Sequence, residues 1–317
     1  MSRYDEAHAN PQGPGDARPT ALQIIKDEGA EGTLKGQVIV ITGVSAGIGI
    51  ETARALATTG AKLFLTIRNL EKAQNALKGV FDPSTMELVK MDNASLASVR
   101  EAANAILAKT SKIHLLVENS RTLFGTNHLS HFLFFKLLEP TLLAAATPEL
   151  PSRVVVLSSS AHNVHGLNVS DNYDFQKGGY EPNVAYGQSK TANIYMANEI
   201  ERRYGSKNLH ATSLHPGIIN TELIRHLPKE ALEGFKAVYP LMKSIEQGAA
   251  TTVWAAVGKQ WKDKGGKYLA NCQEIGLIKS DEEKFISNGY APHAYDVEEA
   301  KRLWRDSLKM VGLPAED

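Results

Sequence analysis

At 317 residues, with 43% hydrophobic and 22% charged side chains, the chain can build one large α/β domain or two ordinary ones, either with an ample core. Lys plus Arg and Asp plus Glu both number 35, so no net field draws nucleic acid or an anionic membrane. Cys272 is the single cysteine, which excludes an internal disulfide and a multi-thiolate metal site and fits a reducing, cytoplasmic compartment.

Residues 1–20 are rich in Pro, Gly, Ala and charge and lack an apolar run of signal-peptide or membrane-span length, so they read as a disordered lead. A short N-terminal extension follows over 22–35. The apolar run 38–42 reads as strand one. It leads into Thr42-Gly43-Val44-Ser45-Ala46-Gly47-Ile48-Gly49 and a helical segment over 51–59. A strand that ends in a glycine turn and opens a helix aims backbone N–H groups and a helix dipole at one point, where a pyrophosphate can sit. Glycine lets the turn tighten and the phosphate approach. Gly43, Ser45, Gly47, Ile48 and Gly49 are therefore the candidate dinucleotide-binding residues.

Strand two spans 62–67. An acidic residue at its end would hydrogen-bond the ribose 2′-hydroxyl of NAD. This chain has Ile67, then Arg68 and Asn69, and a guanidinium clamps a 2′-phosphate instead, so NADP(H) is favoured over NAD(H). The plainer role for Arg68 is to cap or salt-bridge the next helix. After strand three, 86–90, Asp92 and Asn93 can meet an adenine ring or cap the helix 95–109. Strand four covers 113–117. The longest apolar stretch, 132–146, is interrupted by Lys136, Glu139 and Pro140 and reads as a buried helix. Strand five (154–158), a helix over 185–204, strand six (209–214), a helix over 246–256 and strand seven (266–270) complete the series, with a C-terminal extension over 281–313. This βαβ rhythm predicts one domain over 21–317, a doubly wound parallel sheet of the Rossmann type with helices on both faces.

Tyr186-Gly187-Gln188-Ser189-Lys190 carries the catalytic signal. Positions i and i+4 share a helix face, so phenol and ammonium are neighbours. A phenol ordinarily titrates near ~10. A fixed cation beside it favours the phenolate and makes a proton shuttle near neutral pH. Upstream, strand five ends in Ser158-Ser159-Ser160 at the sheet edge where open α/β folds bind ligands. Downstream, strand six ends in His215-Pro216-Gly217-Ile218-Ile219-Asn220-Thr221.

Taken together, the glycine turn, the serine, the Tyr–Lys pair and the Pro-Gly segment with its threonine resemble the short-chain dehydrogenase/reductase superfamily over about residues 35–270. Finer matches resemble the retinol-dehydrogenase and WW-domain-oxidoreductase branch, especially its fungal members. They are the run Phe124 through Phe132, the wide gap between Ser159 and Tyr186, Gln247-Gly248-Ala249-Ala250-Thr251, and the tail 300–313. The resemblance implies a sheet of about seven strands in the order 3-2-1-4-5-6-7. Tyr186 would exchange a proton with a carbonyl oxygen, and Lys190 would lower its pKa and hold the nicotinamide ribose. Ser159 would bind the substrate oxygen and Asn127 a proton-relay water. Asn119, Ile219 and Thr221 would touch the cofactor, Asn119 on the adenosine side. The implied activity is interconversion of a lipophilic ketone or aldehyde and its alcohol, in secondary metabolism. A homodimer would form through the family's helices four and five, here the helix from Phe124 and that over 185–204. The substrate lining falls to 161–183 and 218–240, the latter an amphipathic lid.

His128 and His131 read as helix surface or core, His162 and His165 as the substrate mouth, and no metal-ligand set is complete. One segment departs from the family pattern. After strand four relatives carry Asn-Asn-Ala-Gly and a long connection; this chain has Glu118-Asn119-Ser120-Arg121 and reaches Asn127 in eight steps. Eight extended residues reach at most ~26–29 Å, so the loop can close. Three readings remain open. They are a working reductase with an open adenosine side, a splice error in the deduced sequence, and a fold-retaining non-redox acid–base enzyme or binding protein.

Overall fold

The computed structural model describes residues 3–119, 124–219, 238–278 and 288–316. Val38-Ile39-Val40-Ile41 forms β1 (Val38–Ile41), buried on both faces, as expected of a β-branched run in a covered parallel sheet. It pairs with β2 (Lys62–Ile67) on one side and β4 (Leu115–Glu118) on the other. β3 (Met86–Lys90), β5 (Ser152–Leu157), β6 (Leu209–His215) and β7 (Lys267–Ala270) extend the sheet. The order is β3-β2-β1-β4-β5-β6-β7-β8. The first seven strands are parallel, in the expected order. The added β8 (Gln273–Glu274) is antiparallel to β7 and, at two residues, too short to show a period.

Helices cover both faces. On one, α3 (Ile48–Ala57) and the later helix containing Trp254 pack with α2 (Ala21–Asp27) on Ile39, Ile41, Leu65 and Val117. On the other, α5 (Leu96–Leu107), α6 (Ser130–Ala145) and α7 (Pro182–Tyr204) pack on Val40, Phe64, Leu116 and Val156. Short helices α1 (Asp5–Ala9) and α4 (Leu70–Ala76) lie earlier in the chain. The single helix expected over 246–256 is divided into α8 (Ile245–Gly248) and α9 (Ala250–Val257). The C-terminal extension forms α10 (Val297–Met310), whose buried Trp304 meets Phe132 edge-on at 4.9 Å and also contacts Phe135 and Tyr204, so α10 lies over α6 and α7. Among the described residues, no helix is long and apolar enough to cross a membrane.

The expectation of a disordered lead needs correction. Residues 3–20 are placed by Arg18, 5% exposed, which donates to the carbonyl oxygens of Leu241 (2.9 Å) and Met242 (2.5 Å). Gly15 N–H donates to Gln247 Oε1 at 2.9 Å. Composition missed this because the segment is anchored by single polar side chains rather than by an apolar stripe.

Candidate active site

Two residues past the end of β1 lies Gly43, whose φ of +72° a side chain resists; a Cβ there would fall 2.4 Å from the Asn119 carbonyl oxygen. Gly49 sits equally close, its absent Cβ 2.3 Å from Gly43 O and 3.0 Å from Asn119 Nδ2. Gly47, φ +61°, is the N-cap of α3 and offers no side-chain acceptor to the first turn. A helix start without a side-chain cap, behind a turn packed too tightly for a side chain at Gly43 or Gly49, fits a nicotinamide dinucleotide's pyrophosphate. Ser45 lies in this turn half-buried, and Ile48 begins α3.

Asn119 is the floor of the turn. Its N–H donates to Thr42 Oγ1 at 2.8 Å, and that hydroxyl lies 3.2 Å from Asn119 O. Thr42 Oγ1 is also 3.1 Å from His131 Nε2, which Asn93 Nδ2 approaches at 3.3 Å, while His131 Nδ1 is 3.0 Å from Asn127 O. Burial pushes the His131 pKa down to about 4, with Lys190 adding to the effect, so the ring is neutral. A neutral ring with Nδ1–H donating to Asn127 O leaves Nε2 to accept. His131 thus ties the ends of β1 and β3 to the turn that carries Asn127. Sequence reasoning gave it no part in the site; its i+4 spacing from Asn127 was the available signal.

Asn127 lies in a π-helical turn, Gly125–Leu129, and its Nδ2 donates to Ser189 Oγ at 2.8 Å; that hydroxyl in turn donates to Tyr186 O at 2.7 Å. The shortened connection therefore still delivers Asn127 to the helix bearing the Tyr–Lys pair. Ser120 and Arg121 themselves lie outside the described residues.

α7 begins at Pro182, a favoured first-turn residue, with Glu181 accepting from Val184 N–H. Ser158 Oγ donates to Lys190 O at 2.8 Å and fixes the helix to the end of β5. Lys190 is buried, with Nζ 3.4 Å from Leu157 O and 5.4 Å from the Tyr186 ring centroid. Asn193 Nδ2 shares that carbonyl at 2.8 Å. Ser159 is extended, next to β5, and its Oγ accepts from Ala161 N–H at 3.2 Å, which leaves its own hydrogen to donate elsewhere. Lys190 is thus tied to the end of β5, which Ser159 follows, and Asn127 to the turn of α7 that carries Tyr186.

The remaining sites are less gathered. Arg68 is exposed at the end of β2. Asn69 is the N-cap of α4, accepting from Lys72 N–H at 2.9 Å. Asp92 Oδ1 accepts from Ala94 N–H at 3.0 Å, a local turn, while Ser95 caps α5. Ile219 pairs as an isolated bridge with Lys243. Thr221 lies outside the described residues, as does most of the expected lid. His162 is fully buried, with Nδ1 2.6 Å from Ser159 O and Nε2 accepting from Ala291 N–H; burial pushes its pKa down to about 4. Rather than opening onto a substrate mouth, its ring links the Ser159 turn to the C-terminal extension.

Glu118 was not singled out as a site residue. It ends β4 fully buried, and neither carboxylate oxygen has a hydrogen-bond partner among the described residues. Burial alone holds its pKa well above the ordinary carboxyl value. The folded state then binds a proton that the unfolded chain releases above about 4.3, so stability falls as pH rises through that value toward the folded pKa. Glu118→Gln, which cannot ionise, is expected to match wild type below about pH 4.5 and to gain about 1.4 kcal/mol per pH unit above it, until the folded pKa is passed. Thermal melts from pH 4 to 8 measure the difference; parallel curves would contradict it.

A cavity of about 480 Å³ opens beside this site between the π-helical turn, the 170–180 stretch and α10, lined by Phe124, Leu129, Tyr173, Phe175, Tyr180 and Met310. Ala185 borders it, but Ser159, Tyr186 and Lys190 do not.

With this geometry in place, comparison with known proteins is consistent. The family model for short chain dehydrogenases matches residues 37–170. The short-chain dehydrogenase/reductase prx1 of Penicillium roqueforti is 47% identical, covering 98% of this chain and 95% of its own. That alignment spans 328 positions against 317 residues here, so prx1 carries residues this chain lacks. Retinol dehydrogenase 13 of Homo sapiens is 32% identical over 90% of this chain and 88% of its own. Among solved structures, the Pseudomonas aeruginosa RhlG/NADP active-site complex superposes with a TM-score of 0.64 at 22% identity, covering 76% of this chain and 96% of that one, a likeness of fold. The chain belongs to the short-chain dehydrogenase/reductase family. It is a short-chain oxidoreductase.

Proposed function

We propose that the protein is an NADP(H)-dependent oxidoreductase interconverting a lipophilic ketone or aldehyde and its alcohol. The observation that carries this reading is the Tyr186–Lys190 pair, locked to the end of β5 beside Ser159 and two strands along the same sheet edge from the glycine turn. When bound, the nicotinamide supplies hydride in one direction and takes it up in the other. Ser159 Oγ donates to the substrate oxygen and fixes its position. Tyr186 gives its phenolic proton to that oxygen during reduction and recovers it during oxidation. The buried Lys190 ammonium favours the phenolate and also reaches the ribose side of the cofactor. Asn127, held by Ser189, orients a water that relays the proton toward Lys190. The Ile219 backbone and Thr221 meet the nicotinamide end, and Asp92 the adenine.

NADP(H) is favoured because Arg68 is exposed at the ribose end of β2, where no carboxylate repels a 2′-phosphate. A charge-assisted hydrogen bond contributes about 1.5–3 kcal/mol, so Arg68→Ala is expected to weaken NADPH binding by roughly 10- to 100-fold and leave NADH unchanged, as read by calorimetry. Equal losses for both nucleotides would remove Arg68 from phosphate recognition, and no binding of either by wild type would sink the proposal. A lipophilic substrate is supported by the aromatic residues that the 161–183 insertion contributes beside Ala185. The proposed setting in secondary metabolism follows the fungal resemblance. A homodimer through α6 and α7 would include α10 in its surface, since that helix lies over both.

A further inference from the structure

Lys243 lies beneath the loop that follows β6. Its backbone N–H donates to Ile218 O at 2.7 Å, and its side chain is buried with Nζ 2.8 Å from Asn271 Oδ1 and 3.4 Å from Pro216 O. Gly217, φ +103°, rests on the lysine stem: a Cβ there would fall 2.8 Å from Lys243 Cδ and 2.9 Å from Cε. The loop's other end is also held. Ile219 packs toward Gly248, where a Cβ would fall 2.5 Å from Ile219 Cδ1 and 2.9 Å from Ile48 Cγ2, at the start of α3 behind the glycine turn.

The ammonium is buried without a carboxylate of its own. Its two acceptors are an amide and a carbonyl, which leaves one of its three N–H donors without a partner among the described residues. The charged and titratable groups around it are Arg18, Asp16, His8, His215 and Cys272. The Asp16 carboxylate is already engaged by Arg18 at 2.8 Å and by Gln247 at 3.0 Å. Such a cation is costly to bury, and a fold that needed only packing would do as well with a neutral side chain. The N-terminal segment closes over it. Arg18 binds the carbonyls of Leu241 and Met242, the two residues before Lys243, and Gln247 Nε2 donates to Arg18 O at 3.1 Å.

We propose that Lys243 is a positioning residue for the cofactor, its ammonium fixing the Pro216–Ile219 loop and supplying, below that loop, a positive charge that the dinucleotide's phosphates balance. This rests on the nicotinamide-dinucleotide reading above. It explains why the N-terminal segment is clamped where it is: Arg18 and Gln247 fix the backbone on which the lysine stands and exclude water from it.

Burial lowers the Lys243 pKa to about 8. His8 is pushed down to about 4 and His215 to about 3, while Cys272 is pushed up to about 11, so between pH 7 and 9 Lys243 is the group of this cluster that changes charge. Binding that favours the ammonium weakens as pH rises through that interval.

The test is calorimetric titration of wild type, Lys243→Met and Lys243→Arg with NADPH at pH 7 and pH 9, beside thermal melts of each protein without nucleotide. The expected result is affinity about tenfold lower in Lys243→Met at pH 7, a melting point equal to or above wild type, partial recovery in Lys243→Arg, and a fall in wild-type affinity from pH 7 to 9 that Lys243→Met lacks. Wild-type affinity in Lys243→Met, or a melting point that falls in step with affinity, would overturn the proposal. Failure of wild type to bind any nicotinamide nucleotide would overturn the cofactor reading itself, a result distinguishable from either.

Discussion

Tyr186→Phe is expected to lower turnover of a lipophilic ketone by about 10²–10⁴-fold while leaving NADPH affinity within about twofold, since proton transfer by a positioned side chain contributes on that scale. The substitution removes one oxygen and keeps the ring. The ring lies with its centroid 5.4 Å from Lys190 Nζ, and its backbone carbonyl accepts from Ser189 Oγ, so neither the helix nor the Asn127 link depends on the phenol oxygen. Loss of turnover with retained nucleotide binding therefore isolates the proton donor. Steady-state rates over a panel of ketones, paired with nucleotide titration, give the split. Unchanged turnover would take Tyr186 out of the mechanism, and turnover that persists without any nucleotide would favour the non-redox alternative that Tyr186 could also serve.

The other large effect belongs to the glycine turn. Gly43→Ala places a side chain at φ +72° and drives its Cβ to 2.4 Å from the Asn119 carbonyl, a backbone atom that cannot rotate away. Left-handed strain and overpacking each cost about 1–3 kcal/mol, so the variant is expected to lose roughly 2–6 kcal/mol of stability. Its melting point should fall by several degrees, at about 2–4 °C per kcal/mol for a large domain. Nucleotide affinity should fall by at least about 100-fold, because relief of the clash moves Asn119 or the turn, and each forms part of the cradle. Melts and titration of the same preparation check both effects. A variant with wild-type melting and wild-type NADPH affinity would show that the turn does not hold the pyrophosphate.

How far the site could be read in advance depended on the reach of each interaction. Tyr186 and Lys190 are four residues apart on one helix, so local geometry alone made them neighbours. The glycines were equally local: Gly43 and Gly49 are constrained by a turn of a few residues, although the atom that forbids a side chain at Gly43 comes from Asn119, just past the end of β4. Asn69 and Asp92 could be read as caps or as cofactor contacts, and their observed hydrogen bonds are local turn and cap bonds. His131, Lys243 and Arg18 were not legible as parts of a site. Each acts on groups distant in sequence, His131 on Thr42 and Asn93, Lys243 on Pro216 and Asn271, Arg18 on Leu241 and Met242, and no period or spacing encodes such pairings.

The sequence by itself determined the parallel sheet, the glycine turn and the Tyr–Lys pair, because these follow from apolar period, backbone permissiveness and helix spacing; the strand order came with the family resemblance. Tertiary structure decided the rest. It tied Asn127 to Ser189 on the helix of the Tyr–Lys pair, and it left Glu118 at the end of β4 without a partner among the described residues. It also set the N-terminal lead as a clamp over Lys243. The physical reason is common to all three: whether a buried polar group is satisfied, orphaned or held charged depends on which distant atoms the packed core brings within about 3 Å of it.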